Sequence, residues 1–230
     1  MKFCDCGKKI SFTSALDICG LCQAKQIWQA TPKHIQLKKW GVPIKTINQF
    51  LKLDIAQFNK SESRFNKSLY LHGEAGLGKT TTAIAQMIYN AEQYYTSEEN
   101  ANPKAELFFI TMPELLFKLR QTYNKPINHD TFETAEEMAV NFYRNVDVLV
   151  LDDFGVEKIT DWVSTILYLI LTYRYENDRV TIFTSNLSLD ELTVQLKDAR
   201  LTSRIGGWCD LVEFKGNDRR KKTNTRNDRA

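Results

Sequence analysis

A chain of 230 residues can bury one sizeable core with a small appendage, and 43% hydrophobic with 26% charged residues is the balance of a globular protein. The longest wholly apolar run, Ile166 to Leu171, is too short to cross a bilayer, and the opening Met-Lys-Phe-Cys-Asp-Cys lacks a signal-peptide core, so no membrane partner and a cytoplasmic location are expected. The net charge of +3 excludes a basic surface spread over the whole molecule.

Four of the five cysteines open the chain, as Cys4-Asp-Cys6 and Cys19-Gly-Leu-Cys22 with twelve residues between the pairs. Two short chelating pairs suit tetrahedral Zn²⁺ where disulfides are disfavoured, and a segment this small would draw its folding energy from the metal. The first pair is C-x-C rather than the commoner C-x-x-C, and free or redox-active thiols are the competing reading. Residues 26 to about 66 read as a connector of short helices, punctuated by Thr31-Pro32, Gly41-Val-Pro43 and the polar run Asn59 to Arg64. Trp28 and Trp40 in it are expected to pack rather than to stack on bases. His34, His72 and His129 are scattered and suggest no metal site.

Ser68–His72 is a short apolar strand candidate, and the residues after it are the most informative in the chain. Gly73-Glu74-Ala75-Gly76-Leu77-Gly78-Lys79-Thr80 fits G-x-x-x-x-G-K-[ST], with Thr81 following. Its glycines let successive N–H groups curl around a phosphate chain, Lys79 reaches the β- and γ-phosphates, and the Thr80 hydroxyl ligates Mg²⁺. Ile84, Met87, Ile88, Ala91 and Tyr94 then recur at helical spacing from Lys79 to about Tyr95. Strand, glycine loop and helix is the context the motif requires, so a nucleoside triphosphate, ATP with Mg²⁺, is the expected ligand.

Further strand candidates are Glu106–Thr111, Asp147–Asp152 and Val180–Ser185, with a fifth at Asp210–Phe214. The gaps among the first four are long enough for crossover helices, which predicts a parallel α/β sheet. Met112-Pro113 suits a helix entry, and Thr134-Ala-Glu-Glu137 and Ser188-Leu-Asp-Glu191 fit the capping box. Thr160–Tyr175 is apolar on most sides, and its length favours a helix over a strand.

The third strand ends in Asp152 and Asp153. At the carboxyl end of a strand in an open α/β sheet both acids face the ligand. Asp152 is then expected to hold Mg²⁺, and Asp153 to orient and deprotonate the attacking water. The alternative is a pair of acids that merely caps the next element. Asn186 ends the fourth strand. If that strand lies between the first and third, Asn186 enters the same cleft; otherwise it only begins the turn before Ser188. Cys209, beside Trp208, reads as a small buried hydrophobe. From Gly216 to Ala230 there are six basic and two acidic residues, densest at Arg219-Arg220-Lys221-Lys222, a basic disordered tail by composition.

The phosphate loop, the Asp152-Asp153 strand end, Thr184-Ser185-Asn186 followed by Leu-Ser-Leu-Asp-Glu-Leu, and Asp198-Ala-Arg200-Leu-Thr-Ser-Arg204-Ile together resemble the DnaC/DnaI-type replicative helicase loaders. These form one clade with the IstB transposition ATPases inside the AAA+ superfamily, and the resemblance spans roughly residues 40–218. It implies an AAA+ P-loop NTPase core, with Lys79 and Thr80 as Walker A residues, Asp152 and Asp153 as Walker B and Asn186 as the sensor. Arg204 becomes the arginine finger that reaches the ATP of a neighbouring subunit, hence self-association; Arg200, one turn earlier, is the other candidate. A surface arginine paired along its helix with an acid is the ordinary alternative for Arg204. In initiators of the clade the segment between the second and third strands faces single-stranded DNA. Here that is Lys118–Tyr143, with Arg120, Tyr123 and Lys125 available. The residues after the arginine helix leave no room for a full C-terminal lid or a helix-turn-helix.

The architecture expected is therefore a cysteine-rich zinc module (1–25), a connector (26–66), an AAA+ core (67–215) and a basic tail (216–230). The function expected is ATP-dependent loading of the hexameric replicative helicase onto single-stranded DNA, with the zinc module gripping the client. An IstB-like transposition regulator and a non-hydrolysing ATP-binding helicase adaptor are the rivals.

Overall fold

The computed structural model describes residues 20–52, 66–122, 134–156 and 160–218. Contacts divide the chain into two compact units, Met1–Phe65 with Gln86–Leu107, and Asn66–Ala85 with Phe108–Ala230.

In the first unit, α1 (Gly20–Ala30), α2 (Lys33–Lys39) and α3 (Ile44–Leu51) follow one another closely. Pro32 and Pro43 stand at the N-caps of α2 and α3, where a missing N–H costs nothing. Trp28 and Trp40 are buried and stacked with centroids 6.0 Å apart, and Tyr95 meets Trp28 at 5.5 Å. The Gln36 amide donates to the Trp28 and Thr31 carbonyls (2.9 and 3.0 Å), which closes the α1–α2 corner. Both tryptophans thus pack, as their connector position suggested.

In the second unit a five-stranded sheet runs in the order β2-β3-β4-β1-β5, with β1 (Leu69–Gly73), β2 (Leu107–Thr111), β3 (Val148–Asp152), β4 (Val180–Ser185) and β5 (Asp210–Phe214). The β3–β4, β4–β1 and β1–β5 pairs are all parallel. β3 and β4 are buried along their whole length, and both read as continuous apolar runs, as strands covered on two faces should. The strand candidates fall within a residue of these bounds. The expected helix after the glycine loop is α4 (Lys79–Thr96), which passes from one unit to the other.

The remaining helices are α5 (Met112–Thr122), α6 (Ala135–Asn145), α7 (Asp161–Glu176), α8 (Leu189–Leu196) and α9 (Ala199–Trp208). Both capping boxes are formed: Thr134 with Glu137 opens α6, and Ser188 with Glu191 opens α8. The core is centred on Leu149, Leu151, Phe154, Leu167, Ile170 and Phe183, with Cys209 against it. Burial raises the Cys209 thiol pKa, so this cysteine is the inert hydrophobe expected from the sequence.

Among the described residues no group of three or more His, Cys, Asp or Glu could hold a metal, and no helix is long and apolar enough to cross a membrane. The zinc module falls mostly outside that range. Cys4, Cys6 and Cys19 lie outside the described residues, and Cys22 sits half-buried at the start of α1. Tyr123, Lys125 and Arg219–Lys222 also lie outside.

Candidate active site

The phosphate loop leaves the carboxyl end of β1, in the middle of the sheet. Gly73, Gly76 and Gly78 all take positive φ (136°, 82° and 100°), which no side-chain-bearing residue adopts easily. At Gly73 a Cβ would also stand 2.3 Å from the Phe214 carbonyl oxygen, so β5 packs directly on the glycine's bare face. Glu74 and Ala75 are exposed at the tip, whereas Leu77 is buried and anchors the loop from below. α4 begins at Lys79, so the unpaired N–H groups of its first turn and the positive end of its dipole open onto the loop. Thr81 is half-buried in that turn.

Lys79 crosses the loop. Its ammonium donates to the carbonyls of Gly73 and Glu74 (both 2.7 Å) and to Asn186 Oδ1 (2.9 Å). β4 lies between β3 and β1, so the condition set on the sequence is met and Asn186 enters the cleft. An ammonium only donates, so the Asn186 oxygen must face it, and the amide NH₂ is the group turned toward anything else in the cleft.

Asp152 ends β3 beside Thr80. The Thr80 hydroxyl donates to Asp152 Oδ1 at 2.8 Å, and the Thr184 hydroxyl donates to the same oxygen at 2.6 Å. No described residue donates to the other oxygen of Asp152. Asp152 is 6% exposed. Burial raises its pKa most; the Thr184 and Thr80 hydrogen bonds lower it, the neighbouring Asp153 raises it, and Lys79 lowers it. A buried carboxylate pushed up in this way, with one oxygen open next to a threonine hydroxyl, fits a divalent cation, whose charge reverses that logic. The donor set therefore suits both groups the sequence implies, a triphosphate and Mg²⁺.

Asp153 is exposed and takes φ 57°, the left-handed region. That conformation costs an ordinary residue roughly 1–2 kcal/mol, less for Asp and Asn. Three hydrogen bonds to β4 hold it. Asp153 N–H donates to Thr184 Oγ1 (3.0 Å), Phe154 N–H to the Thr184 carbonyl (2.7 Å), and Ser185 Oγ to the Phe154 carbonyl (2.6 Å). Phe154, fully buried edge-on to Phe183, pins the turn from inside. Asp153 is thus exposed on a fixed base, and the side chain that caps α7 is that of Thr160.

α9 carries the two arginines. Arg200 is the one in a surface pair, bonded to Asp198 through Nε and Nη2 (both 3.2 Å). Arg204 has no acidic partner among the described residues. Its guanidinium lies 4.9 Å from the Tyr168 ring centroid, and its Nη1 is buried without a hydrogen-bond partner. The helix-paired alternative therefore describes Arg200 and not Arg204. Thr184 and Tyr168 are contributors the sequence did not single out. The polar end of β4 hinted at the first; nothing local marks the second.

The family model for IstB-like ATP binding proteins matches residues 54–227. The replicative helicase loader DnaI of Bacillus subtilis (strain 168) is 30% identical over 180 residues, covering 72% of this chain and 52% of the relative. The chain thus spans about half the length of that curated relative. Among solved structures, the crystal structure of the DnaC helicase loader is 28% identical with a TM-score of 0.50, covering 75% of this chain and 88% of that one. That of DnaI is 26% identical with a TM-score of 0.50, over 70% and 81%.

Proposed function

Because this chain belongs to the IstB-like ATP binding protein family, we propose that it is an ATP-driven loader that places a replicative DNA helicase on single-stranded DNA. The observation that carries the ATP part is the joining of three strand ends around one loop: Lys79 to Asn186, and Thr80 to Asp152. The client comes from the relatives, which are named replicative helicase loaders.

The loop from Gly73 to Thr80 holds the phosphates, with its N–H groups and Lys79 supplying the positive charge. Thr80 and Asp152 hold Mg²⁺, which when bound neutralises charge on the β- and γ-phosphates. Asp153 accepts the proton of the attacking water, and the Asn186 amide orients that water or the γ-phosphate. Arg204 completes the site of a neighbouring subunit, so ATP favours association and hydrolysis favours release. Arg120 on α5 offers a contact for single-stranded DNA. The cysteines Cys4, Cys6, Cys19 and Cys22, offered on spacing alone, hold a structural Zn²⁺ in a module that grips the helicase.

Asp153→Asn separates chemistry from binding. Asn is, after Gly, the residue most at ease in the left-handed conformation, so the turn is kept while the base is lost. The expected outcome is a fall in phosphate release of roughly 10²–10⁴-fold with nucleotide affinity within about twofold of wild type. An unchanged rate would remove Asp153 from the mechanism. Absence of turnover in the wild type would favour the adaptor reading.

The loader reading is tested by capture of a hexameric replicative helicase with and without ATP, beside Lys79→Ala and a Cys19→Ser/Cys22→Ser double variant. Capture that depends on ATP and on the cysteines supports it. The family's name keeps the transposition regulator in view. ATP-dependent coating of duplex DNA without helicase capture would decide for that reading.

A further inference from the structure

The segment that follows β5 is laid along the phosphate loop. At one end the Phe214 carbonyl presses on the bare face of Gly73. Four residues later Asp218 reaches Gly76. A Cβ built on Gly76 would stand 1.8 Å from Asp218 Oδ1 and 2.4 Å from its carboxyl carbon, so the carboxylate itself lies against the glycine's α-carbon. Asp218 is half-buried there, and Gly216 with φ 138° makes the bend that brings it back. Two close approaches, at Gly73 and Gly76, thus hold this segment on the loop and set its Asp218 carboxylate among N–H groups suited to an anion.

We propose that Asp218 is an internal competitor of the nucleotide, expelled by a phosphate chain that enters the loop. The proposal rests on the reading of this loop as a nucleotide site. Its physical basis is simple. A carboxylate on the α-carbon of the central loop glycine stands within a few ångströms of any phosphate seated there, in a partly desolvated cleft. Like charges at that separation weaken binding by roughly ten- to a hundredfold. Expelling Asp218 removes the repulsion.

The test uses the full chain as wild type, Asp218→Asn and Asp218→Ala, titrated with Mg-ADP. Asn keeps the shape and removes the charge, and Ala removes both. Both variants are expected to bind Mg-ADP about tenfold or more tightly than wild type. Equal affinities in all three proteins overturn the proposal and leave the nucleotide site standing. Weaker binding by both variants also overturns it, making Asp218 a ligand of the nucleotide's metal. No binding by any of the three overturns it together with the nucleotide reading.

Discussion

Arg204→Ala is expected to lower ATP turnover by the assembled protein about 10³-fold or more while leaving the nucleotide affinity of the isolated chain unchanged. The reasoning begins with what Arg204 lacks. A structural arginine on a helix finds acceptors for its guanidinium, as Arg200 does one turn earlier with Asp198. Arg204 instead lies over Tyr168 with one guanidinium nitrogen buried and without an acceptor. Leaving such a donor unpaired costs about 1–3 kcal/mol, more for a charged group. The side chain therefore gains by leaving this position for a phosphate, which offers the planar, bidentate partner a guanidinium fits best.

The assignment predicts behaviour in mixtures. Arg204→Ala chains keep an intact loop, and Lys79→Ala chains keep an intact finger. Neither turns over alone, but an equimolar mixture regains activity if the finger serves a neighbour's site. Arg204→Lys, which keeps the charge and loses the fork, is expected to stay close to Ala. If Arg204→Ala turns over like wild type and Arg200→Ala does not, the finger is Arg200. If the mixture stays silent although each chain assembles, the two residues act in one subunit.

What the sequence could say about this site followed how local each feature is. The phosphate loop is eight consecutive residues with a strand before and a helix after, so it was readable whole. The capping boxes span four residues, and both formed as spaced. Asn186 was undecidable by spacing alone, because its role depends on which strand lies beside β4. Only the order β3-β4-β1 brings it to Lys79, 107 positions away. Thr184 holds Asp152 across 32 positions for the same reason. Tyr168 and Asp218 are further cases. Each acts through packing between elements that share no sequence signature, α7 on α9 and the β5 exit on the loop. Period and motif report the faces of elements; they are silent on which faces meet.

Arg174→Met is expected to destabilise the protein by about 3–5 kcal/mol, a large share of the 5–15 kcal/mol typical of a domain. Arg174 is fully buried in a helix that reads as apolar on most sides. Its Nη1 donates to the carbonyls of Tyr143, Arg144 and Val146 (2.9, 3.2 and 2.7 Å). Its Nη2 donates to the Val180 carbonyl (2.6 Å) and its Nε to Thr181 Oγ1 (2.8 Å). Three of these acceptors belong to the C-terminus of α6, where carbonyls have no partner within the helix and the dipole is negative. One guanidinium thus closes a helix end and the start of β4 together, with its charge balanced by aligned carbonyls. Methionine fills much the same volume, so the loss reports unsatisfied acceptors and not a cavity. Lysine has three donors on one nitrogen and cannot span both elements, so Arg174→Lys is expected to recover only part of the loss. The urea midpoints of the three proteins decide the point. A Met variant within about 1 kcal/mol of wild type would mean that water satisfies the α6 carbonyls and that this corner stands without the arginine.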